Sequence, residues 1–262
     1  MRVHVVSDVH GNVDALAKAG AGADALFVLG DLVDFADYSD PTRGIIGTVL
    51  GPDVADTFRR LRKAGRPGEL RAFAAQAWSR VDDPATVIAD AVRAQYTEMF
   101  AVLPTPTYAI PGNVDVAPLW PEFARPGVHM VDGQVVEVGG LRVGFVGGAP
   151  LPPGMMPTPG GAWTPYLRAA PEYDAAVRGL GPVDVLCLHV PPAVPELRYD
   201  VVTRRPELAS TAAVEVIHEH RPRAVLFGHV HQPLAARLRV ARSECVNVGH
   251  FRQTGSPYVL RW

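Results

Sequence analysis

Seven side chains able to hold a metal ion stand just after apolar runs: Asp8, His10, Asp31, Asn113, His189, His229 and His231. They comprise two carboxylates, four imidazoles and one amide, with no thiolate. Nitrogen and oxygen donors of this kind suit divalent or trivalent Mn, Fe or Zn rather than a cysteine-rich structural zinc. Seven ligands are too many for one tetrahedral ion and about right for two ions that share a bridge. The spacings Asp8-x-His10 and His229-x-His231 are informative. In an extended or turning segment, residues i and i+2 project to the same side, so both reach one site. Taken singly, each of these residues is an ordinary packed histidine or turn carboxylate. Their recurrence in one pattern points to metal.

The elements that must position them can be read from the apolar runs. Residues 3–7 form a β-branched run that stops at Asp8-Val9-His10-Gly11. This predicts a buried strand ending at its carboxyl edge. Asn12 is placed to cap an Ala-rich helix running to about residue 21. Residues 25–29, 107–110, 183–188 and 224–227 repeat the arrangement, ending in Asp31, Asn113, His189 and His229-Val230-His231. In open α/β sheets ligands bind at the carboxyl ends of strands. Helices are expected over residues 53–80, 84–103, 171–180 and 207–220. A hairpin is expected from 134–138 and 141–146 across Gly139-Gly140. Residues 150–165 (PLPPGMMPTPGGAWTP) read as a loop, and 234–248 and 257–261 as closing strands.

The order Asp8-x-His10, Gly30-Asp31, Gly112-Asn113, His189, Gly228-His229-x-His231 resembles the motif set of the calcineurin-like metallophosphoesterase superfamily. The likeness is to its bacterial phosphodiesterase-like branch, and it extends from the first strand into the last third of the chain. It implies an α/β (α+β) fold, a four-layer αββα sandwich of two mixed β-sheets flanked by helices. The expected organisation is one domain over residues 1–262 with a helical insertion at about 52–103. The resemblance implies that Asp8, His10 and His231 hold one ion, that Asn113, His189 and His229 hold the other, and that Asp31 bridges both. Two ions about 3.5–4 Å apart clamp a phosphate and turn a bridging water into a hydroxide near neutral pH. A metal-dependent phosphoesterase acting on a phosphodiester or phosphomonoester is the function it implies, with Asp31 and Asn113 in the catalytic centre.

One block departs from the family pattern. Many family members carry a histidine directly after the motif Asn, where it helps stabilise the phosphoryl group or protonate the leaving oxygen, although some phosphodiesterase-like branches lack it and remain active. Here the block reads Gly112-Asn113-Val114-Asp115. Valine cannot donate a proton, and loss of a general acid typically costs about 10²–10⁴-fold. His250, in Asn247-Val248-Gly249-His250, is the catalytic candidate to take its place; a histidine merely packed after a strand is the plainer alternative. Asp115 is either a turn residue or a group that orients the site. The departure also supports a second reading, a catalytically weak or inactive binding or scaffold protein on the same fold. The complete ligand set argues against it.

The remaining features bound the function. The chain has 262 residues, is 48% hydrophobic and carries a formal net charge of −2. Bulk charge therefore shows no nucleic-acid patch and no attraction to an anionic membrane. The N-terminal sequence lacks a long signal-peptide apolar region, and no run reaches the roughly 20 apolar residues of a membrane span. A cytoplasmic protein with a small phosphate-ester substrate, nucleotide-like esters included, is the expectation. Cys187 and Cys245 lie in apolar strand-like contexts and are expected to be reduced and buried. Arg59, Arg60, Arg62, Lys63, Arg66 and Arg71 form a basic cluster on the insertion, a solvated helix face or a lid that attracts an anion. Met155, Met156 and Trp163 belong to a loop that either covers the site or lies free. Asp34 is read as a helix-start carboxylate or a contact to substrate or insertion. His4, His129, His218 and His220 are expected to be structural or surface residues.

Overall fold

The computed structural model describes residues 1–152, 154–156 and 163–262. Its strands, in chain order, are β1 (Arg2–Val6), β2 (Ala25–Val28), β3 (Thr107–Ala109), β4 (Val128–Met130), β5 (Gln134–Val138), β6 (Leu141–Val146), β7 (Ala149–Pro150) and β8 (Leu167–Arg168). They continue with β9 (Val185–Leu188), β10 (Tyr199–Asp200), β11 (Arg205–Pro206), β12 (Ala224–Phe227), β13 (Arg237–Val240), β14 (Ser243–Asn247) and β15 (Tyr258–Arg261). The helices are α1 (Val13–Leu16), α2 (Gly44–Leu50), α3 (Pro52–Lys63), α4 (Pro67–Trp78), α5 (Pro84–Val102), α6 (Ala170–Gly179), α7 (Pro195–Arg198), α8 (Thr211–His220) and α9 (Phe251–Thr254).

Two mixed sheets result. The first runs β15-β1-β2-β3-β4, all parallel except β15. The second runs β13-β14-β12-β9-β6-β5, parallel at its centre with antiparallel strands β13 and β5 at its edges. Strands such as β1, β2, β9 and β12 are apolar almost throughout because both faces are covered. Alternate side chains divide the work. Val3, Val5 and Phe27 meet Phe145, Cys187 and Leu226 in a core between the sheets, where the Phe27 and Phe145 rings lie edge to face with centroids 5.2 Å apart. Val6, Leu26 and Val28 turn the other way, against the helices that follow β1 and β2. On the far side, Leu186, Leu188, Val225 and Phe227 pack on Tyr173 and Val177 of α6 and Val216 and Ile217 of α8. The layers are therefore helix, sheet, sheet, helix, as expected. Each large apolar side chain removed from water stabilises the fold by about 1.5–3 kcal/mol.

Several local expectations are corrected. Asn12 does cap α1, its side chain accepting the Ala15 N–H at 3.2 Å. The helix nevertheless ends at Leu16, not near residue 21, and turns follow. Gly20 packs where a Cβ would sit 2.4 Å from Pro104 Cγ, and Gly22 has φ +76°, so neither favours a continued helix. The helix expected over 207–220 begins only at Thr211, where Ser210 Oγ accepts the Ala213 N–H at 3.0 Å. The short helices α2, α7 and α9 were not anticipated. Between β2 and β3 the chain forms α2 to α5. Helix α5 starts at the Asp83 cap and lays Val92, Tyr96, Met99 and Phe100 on the outer core. The hairpin β5–β6 pairs as expected, turning through Gly139 and Gly140 at φ +55° and +80°.

Within 150–165, Pro150 belongs to β7, which pairs with β8. Residues 153 and 157–162 of that expected loop lie outside the described residues. Met155 and Met156 are exposed, whereas Trp163 stacks on Phe35 with ring centroids 4.0 Å apart. Cys187 and Cys245 are buried free thiols. No helix among the described residues is long and apolar enough to cross a membrane.

Candidate metal centre

Parallel pairing decides where the seven side chains go. Strands β1, β2 and β3 are successive parallel neighbours in one sheet, and β9 and β12 are parallel neighbours in the other. Their carboxyl ends all point to one rim, and backbone bonds knit the segments beyond them. Asp8 N–H donates to Gly30 O at 3.0 Å, His10 N–H to Asp31 O at 2.9 Å, and Gly228 N–H to His189 O at 2.9 Å.

The structure brings all seven together, and His250 with them. His189 Nε2 lies 3.0 Å from Asn113 Oδ1 and 3.5 Å from Asp31 Oδ2. The His189 and His229 rings meet edge to face at 5.3 Å. On the other side, His231 Nε2 lies 3.3 Å from Asp8 Oδ1 and 3.4 Å from His10 Nε2, and His10 Nε2 lies 3.9 Å from Asp31 Oδ2. Three groups offer donor atoms within 4.8 Å of one another: Asp8 with His10 and Asp31, Asp31 with His189 and His229, and His10 with His231 and His250. Asp31 and His10 each belong to two groups, so the groups merge into one centre.

The donors fit metal ions. His229 Nε2 and His250 Nε2 are buried without a hydrogen-bond partner, a costly state unless something else occupies them. Other ring nitrogens are fixed from behind: His189 Nδ1 lies 2.7 Å from Leu29 O and His10 Nδ1 3.0 Å from Val33 O. Such bonds hold the tautomer that leaves Nε2 facing inward. The backbone is strained as well. Asp8, His10, Asp31 and His229 all have positive φ, at +57°, +41°, +54° and +67°. Strained non-glycine residues of this kind collect at functional sites, where surrounding contacts over-determine them.

The glycine before each of Asp31, Asn113 and His229 has a physical reason. A Cβ on Gly112 would sit 2.2 Å from Asp31 Oδ1, on Gly30 2.2 Å from Gly112 N, and on Gly228 2.3 Å from Asp8 Oδ2. The loops approach so closely that only glycine fits.

Electrostatics divide the histidines into two kinds. Burial pulls His10 below its usual value. It pulls His229 to about 4, helped by the charge of His189, and His250 to about 3, helped by His231. These are neutral rings, ready to donate a lone pair. For His189 burial acts downward too, but the Asp31 carboxylate wins and lifts it to about 9. Asp8 likewise raises His231 against burial. Both carboxylates fall below the usual range although burial opposes it: His231 lowers Asp8 and His189 lowers Asp31. The same two carboxylates that favour a positive charge on His189 and His231 would favour a cation held between them.

Residues without a motif brace the centre. Asp115 is buried and accepts N–H bonds from Gly112 at 2.7 Å, Leu32 at 3.1 Å and Val33 at 3.2 Å, and the Tyr96 hydroxyl at 3.1 Å. It ties the Asn113 loop to the Asp31 loop, and its own N–H closes a turn onto Gly112 O at 3.3 Å, so both readings offered by the sequence apply. Burial and the charge of Asp31 push its carboxyl up to about 6. Val114 contributes its backbone N–H, which donates to Asp31 Oδ1 at 2.9 Å. Asn247 Nδ2 donates to Val230 O at 2.9 Å and holds the His229-x-His231 turn. Arg252 Nη1 donates to His10 O at 2.8 Å and lies 2.9 Å from Asp34 Oδ1, while Nη2 pairs with Asp37. Asp34 is therefore an ion-pair partner and not a helix start; its backbone meets Gln95 of α5. Sequence reasoning missed Arg252, Asp37 and Tyr96. The one signal for Arg252 is its place two residues after His250.

The surroundings sort the other expectations. Arg59 and Arg60 pair with Asp56 on α3, and Arg66 with Glu69 at the start of α4, the arginines all at exposed positions. Arg62 lies over the Tyr38 ring at 5.2 Å, and its charge is felt at His231. His4 is buried with Nδ1 2.7 Å from Ala19 O, and His129 stacks on Tyr108. A cavity of about 350 Å³ opens beside His10, lined by Asn12, Asp14, Arg43, Glu98 and Arg252.

The sequence matches the family described as calcineurin-like phosphoesterase over residues 1–233. Among solved structures, the chain is similar to the crystal structure of TT1561 of Thermus thermophilus, with TM-score 0.55 and 16% identity, over 99% of this chain and 98% of that one. A second solved chain gives TM-score 0.56 at 14% identity, again over 99% and 98%. At such identities the likeness speaks for the fold. No curated protein matches the chain.

Proposed function

Because the chain belongs to the calcineurin-like phosphoesterase family, we propose that it is a hydrolase of small phosphate esters working at the rim where β1, β2, β3, β9 and β12 end. The observation that carries this reading is the convergence of the ligand groups on one another, with buried donor atoms that no protein group satisfies. Asp8, His10 and His231 would hold one ion, Asn113, His189 and His229 a second, and Asp31 would serve both. Bound Mn, Fe or Zn ions supply the charge that clamps a phosphoryl group and brings the pKa of a water near neutrality. The chain's own part is placement. The His189–Leu29 and His10–Val33 contacts aim the rings. The Val114 N–H holds Asp31 at one oxygen and leaves the other turned toward His189 and His10.

The missing histidine after Asn113 narrows the substrate class. With valine there, a leaving oxygen receives no proton from that position, so good leaving groups and phosphodiesters are favoured over unactivated monoesters. Cytoplasmic phosphodiesters, nucleotide-like ones included, are the proposed class. The same valine also supports the second reading, a binding or scaffold protein with weak or no catalysis. Rates on bis-p-nitrophenyl phosphate, p-nitrophenyl phosphate and cyclic nucleotides with added Mn²⁺ separate the two. Hydrolysis of the diester faster than the monoester is expected; no turnover with any of several metals across pH 5–9 rejects the enzyme reading.

A further inference from the structure

We infer that Arg62, laid over the Tyr38 ring beside the rim, is a specificity-determining residue that binds a second phosphate on the part of the substrate that is not cleaved. The inference rests on the hydrolase reading and deepens it by naming what the substrate must carry. The direction of approach comes first. The His231 side chain is 32% exposed, against 14% for His10, 4% for Asp31 and 1% for Asp8, and that of His189 is fully buried. A phosphate ester therefore reaches the centre past His231, and whatever lines that side meets the rest of the substrate. Two walls stand there. One is the segment after Asp37. Asp37 pairs with Arg252, which also donates to His10 O at 2.8 Å, and its Oδ1 accepts the Ser39 and Asp40 N–H groups at 2.8 and 2.9 Å. Tyr38 is thus pinned beside a brace of the centre, with 41% of its surface open. The other wall is the hairpin of β10 and β11, tied to the residue after His231. Val201 N–H donates to Gln232 O at 2.9 Å, and Gln232 N–H to Asp200 Oδ2 at 3.2 Å. Burial pushes the Tyr38 hydroxyl up, while the charges of Arg62 and of Arg205 on the hairpin pull it down. A ring open at its surface and recessed at its hydroxyl belongs to the wall of a cleft.

Arg62 is the cation left over in this cleft. Its guanidinium carbon lies over the Tyr38 ring, 5.2 Å from the centroid. Contact with the ring holds the guanidinium in place and leaves its edge N–H donors unspent. Arg59 and Arg60 share Asp56, Arg66 takes Glu69, and Arg205 takes Glu207 at 3.1 Å, whereas Arg62 has no acidic partner among the described residues. Its charge reaches His231. A cation turned toward a centre built to hold cations is repelled by it unless an anion lies between. The scissile phosphate belongs to the centre itself, so the donors of Arg62 are left for another anion. A guanidinium fork meets phosphate oxygens in pairs. If the insertion merely attracted anions through bulk charge, its paired arginines would count as much as Arg62.

The test compares two chromogenic phosphodiesters that differ by one phosphate: thymidine 5′-(p-nitrophenyl phosphate) with and without a 3′-phosphate. Full-length wild type, Arg62→Ala, Arg62→Gln and Arg60→Ala are assayed with Mn²⁺. Arg62 is exposed, so neither of its substitutions touches the core. Arg60→Ala removes the same charge from the same helix and is the control. Wild type should favour the 3′-phosphorylated ester by about tenfold or more in kcat/KM, mostly through KM, because a charge-assisted contact to an unreacting group is uniform binding. Arg60→Ala should keep that preference, and both Arg62 variants should lose it. Equal kcat/KM on the two esters in wild type, or Arg62 variants that keep the preference, overturn the inference. So does an equal loss in Arg60→Ala. If wild type turns over neither ester, the hydrolase reading fails, and binding decides the role of Arg62. In calorimetric titration with Mn²⁺ present, thymidine 3′,5′-bisphosphate should bind wild type about tenfold more tightly than thymidine 5′-phosphate, and Arg62→Ala should remove the difference. Equal affinities in wild type, or an unchanged difference in Arg62→Ala, overturn the inference.

Discussion

Substituting Gly228 by alanine should damage the centre by an amount the structure allows to be worked out. The added Cβ would lie 2.0 Å from Ser7 Oγ, 2.3 Å from Asp8 Oδ2 and 2.4 Å from Ser7 Cβ. Non-bonded heavy atoms rest at about 3.5–4 Å, so the Asp8 carboxylate must retreat by roughly 1 Å. Rotating Ser7 relieves its hydroxyl but not its Cβ, so β1 must shift too. Asp8 Oδ2 accepts the His229 N–H at 2.9 Å. Losing a buried bond to a charged acceptor costs about 1.5–3 kcal/mol, and overpacking adds about 1–3 kcal/mol. A total of about 3–5 kcal/mol lowers the melting temperature by about 6–20 °C at roughly 2–4 °C per kcal/mol. Thermal unfolding of chelator-treated protein measures this without stabilisation by bound metal. Metal titration of the folded variant should show at least about tenfold weaker binding. Gly68→Ala is the control: Gly68 lies in α4 with nothing within 4 Å of its added Cβ, and alanine should leave stability unchanged or raise it by up to about 1 kcal/mol. A Gly228→Ala protein that melts within 2 °C of wild type and binds metal equally well refutes the reasoning.

Asp31→Asn and His229→Ala should each lower phosphoesterase activity by about 10²-fold or more, beyond the effect of losing a supporting group, while circular dichroism stays native. Asp37 should contribute to acid stability. Burial acts to raise its carboxyl, but Ser39, the Asp40 N–H and Arg252 outweigh it and hold it below 3.8. That stability is present above pH 4 and disappears as pH falls through the depressed value, so the gap between wild type and Asp37→Asn in urea denaturation should close between pH 5 and pH 2. Burial pushes Cys245 up to about 11 and raises Cys187 as well. At pH 8 only about one Cys245 in 10³ is thiolate, so Ellman's reagent should react slowly with native protein and titrate two thiols in guanidinium. Arg252→Ala should weaken metal binding and Arg252→Lys should restore little of it, because a single ammonium cannot reach His10 O, Asp34 and Asp37 together.

The sequence exposed the centre because the chemistry sits where apolar runs stop. Asp8, Asp31, Asn113, His189 and His229 each follow a buried parallel strand, and parallel pairing gathers strand ends without further help. The glycines ahead of Asp31, Asn113 and His229 were legible as motif letters, but their cause, loops closer than a methyl group allows, needs three dimensions. The positive φ angles of Asp8, His10, Asp31 and His229 leave no trace in residue type, since strain is set by neighbours distant in sequence. Arg252 and Tyr96 escaped notice for a related reason. Each acts across more than ten residues of chain, on partners such as Asp34 and Asp115 that carry no periodic signal. Helix α1 is shorter than its Ala-rich run predicts, because propensity favours continuation whereas Gly20 and Gly22 are governed by contacts and turns. The turn holding His250 was recognised as a block near the site, yet its stacking on His231 could not be inferred from spacing.

The most direct test of the account is anomalous diffraction from crystals soaked in Mn²⁺, recorded with the same crystals treated with chelator as reference. Two separate anomalous peaks are predicted, one among Asp8, His10 and His231 and the other among Asn113, His189 and His229, both in contact with Asp31. Saturated crystals showing no peak at this rim, or ions bound elsewhere on the protein, would contradict it.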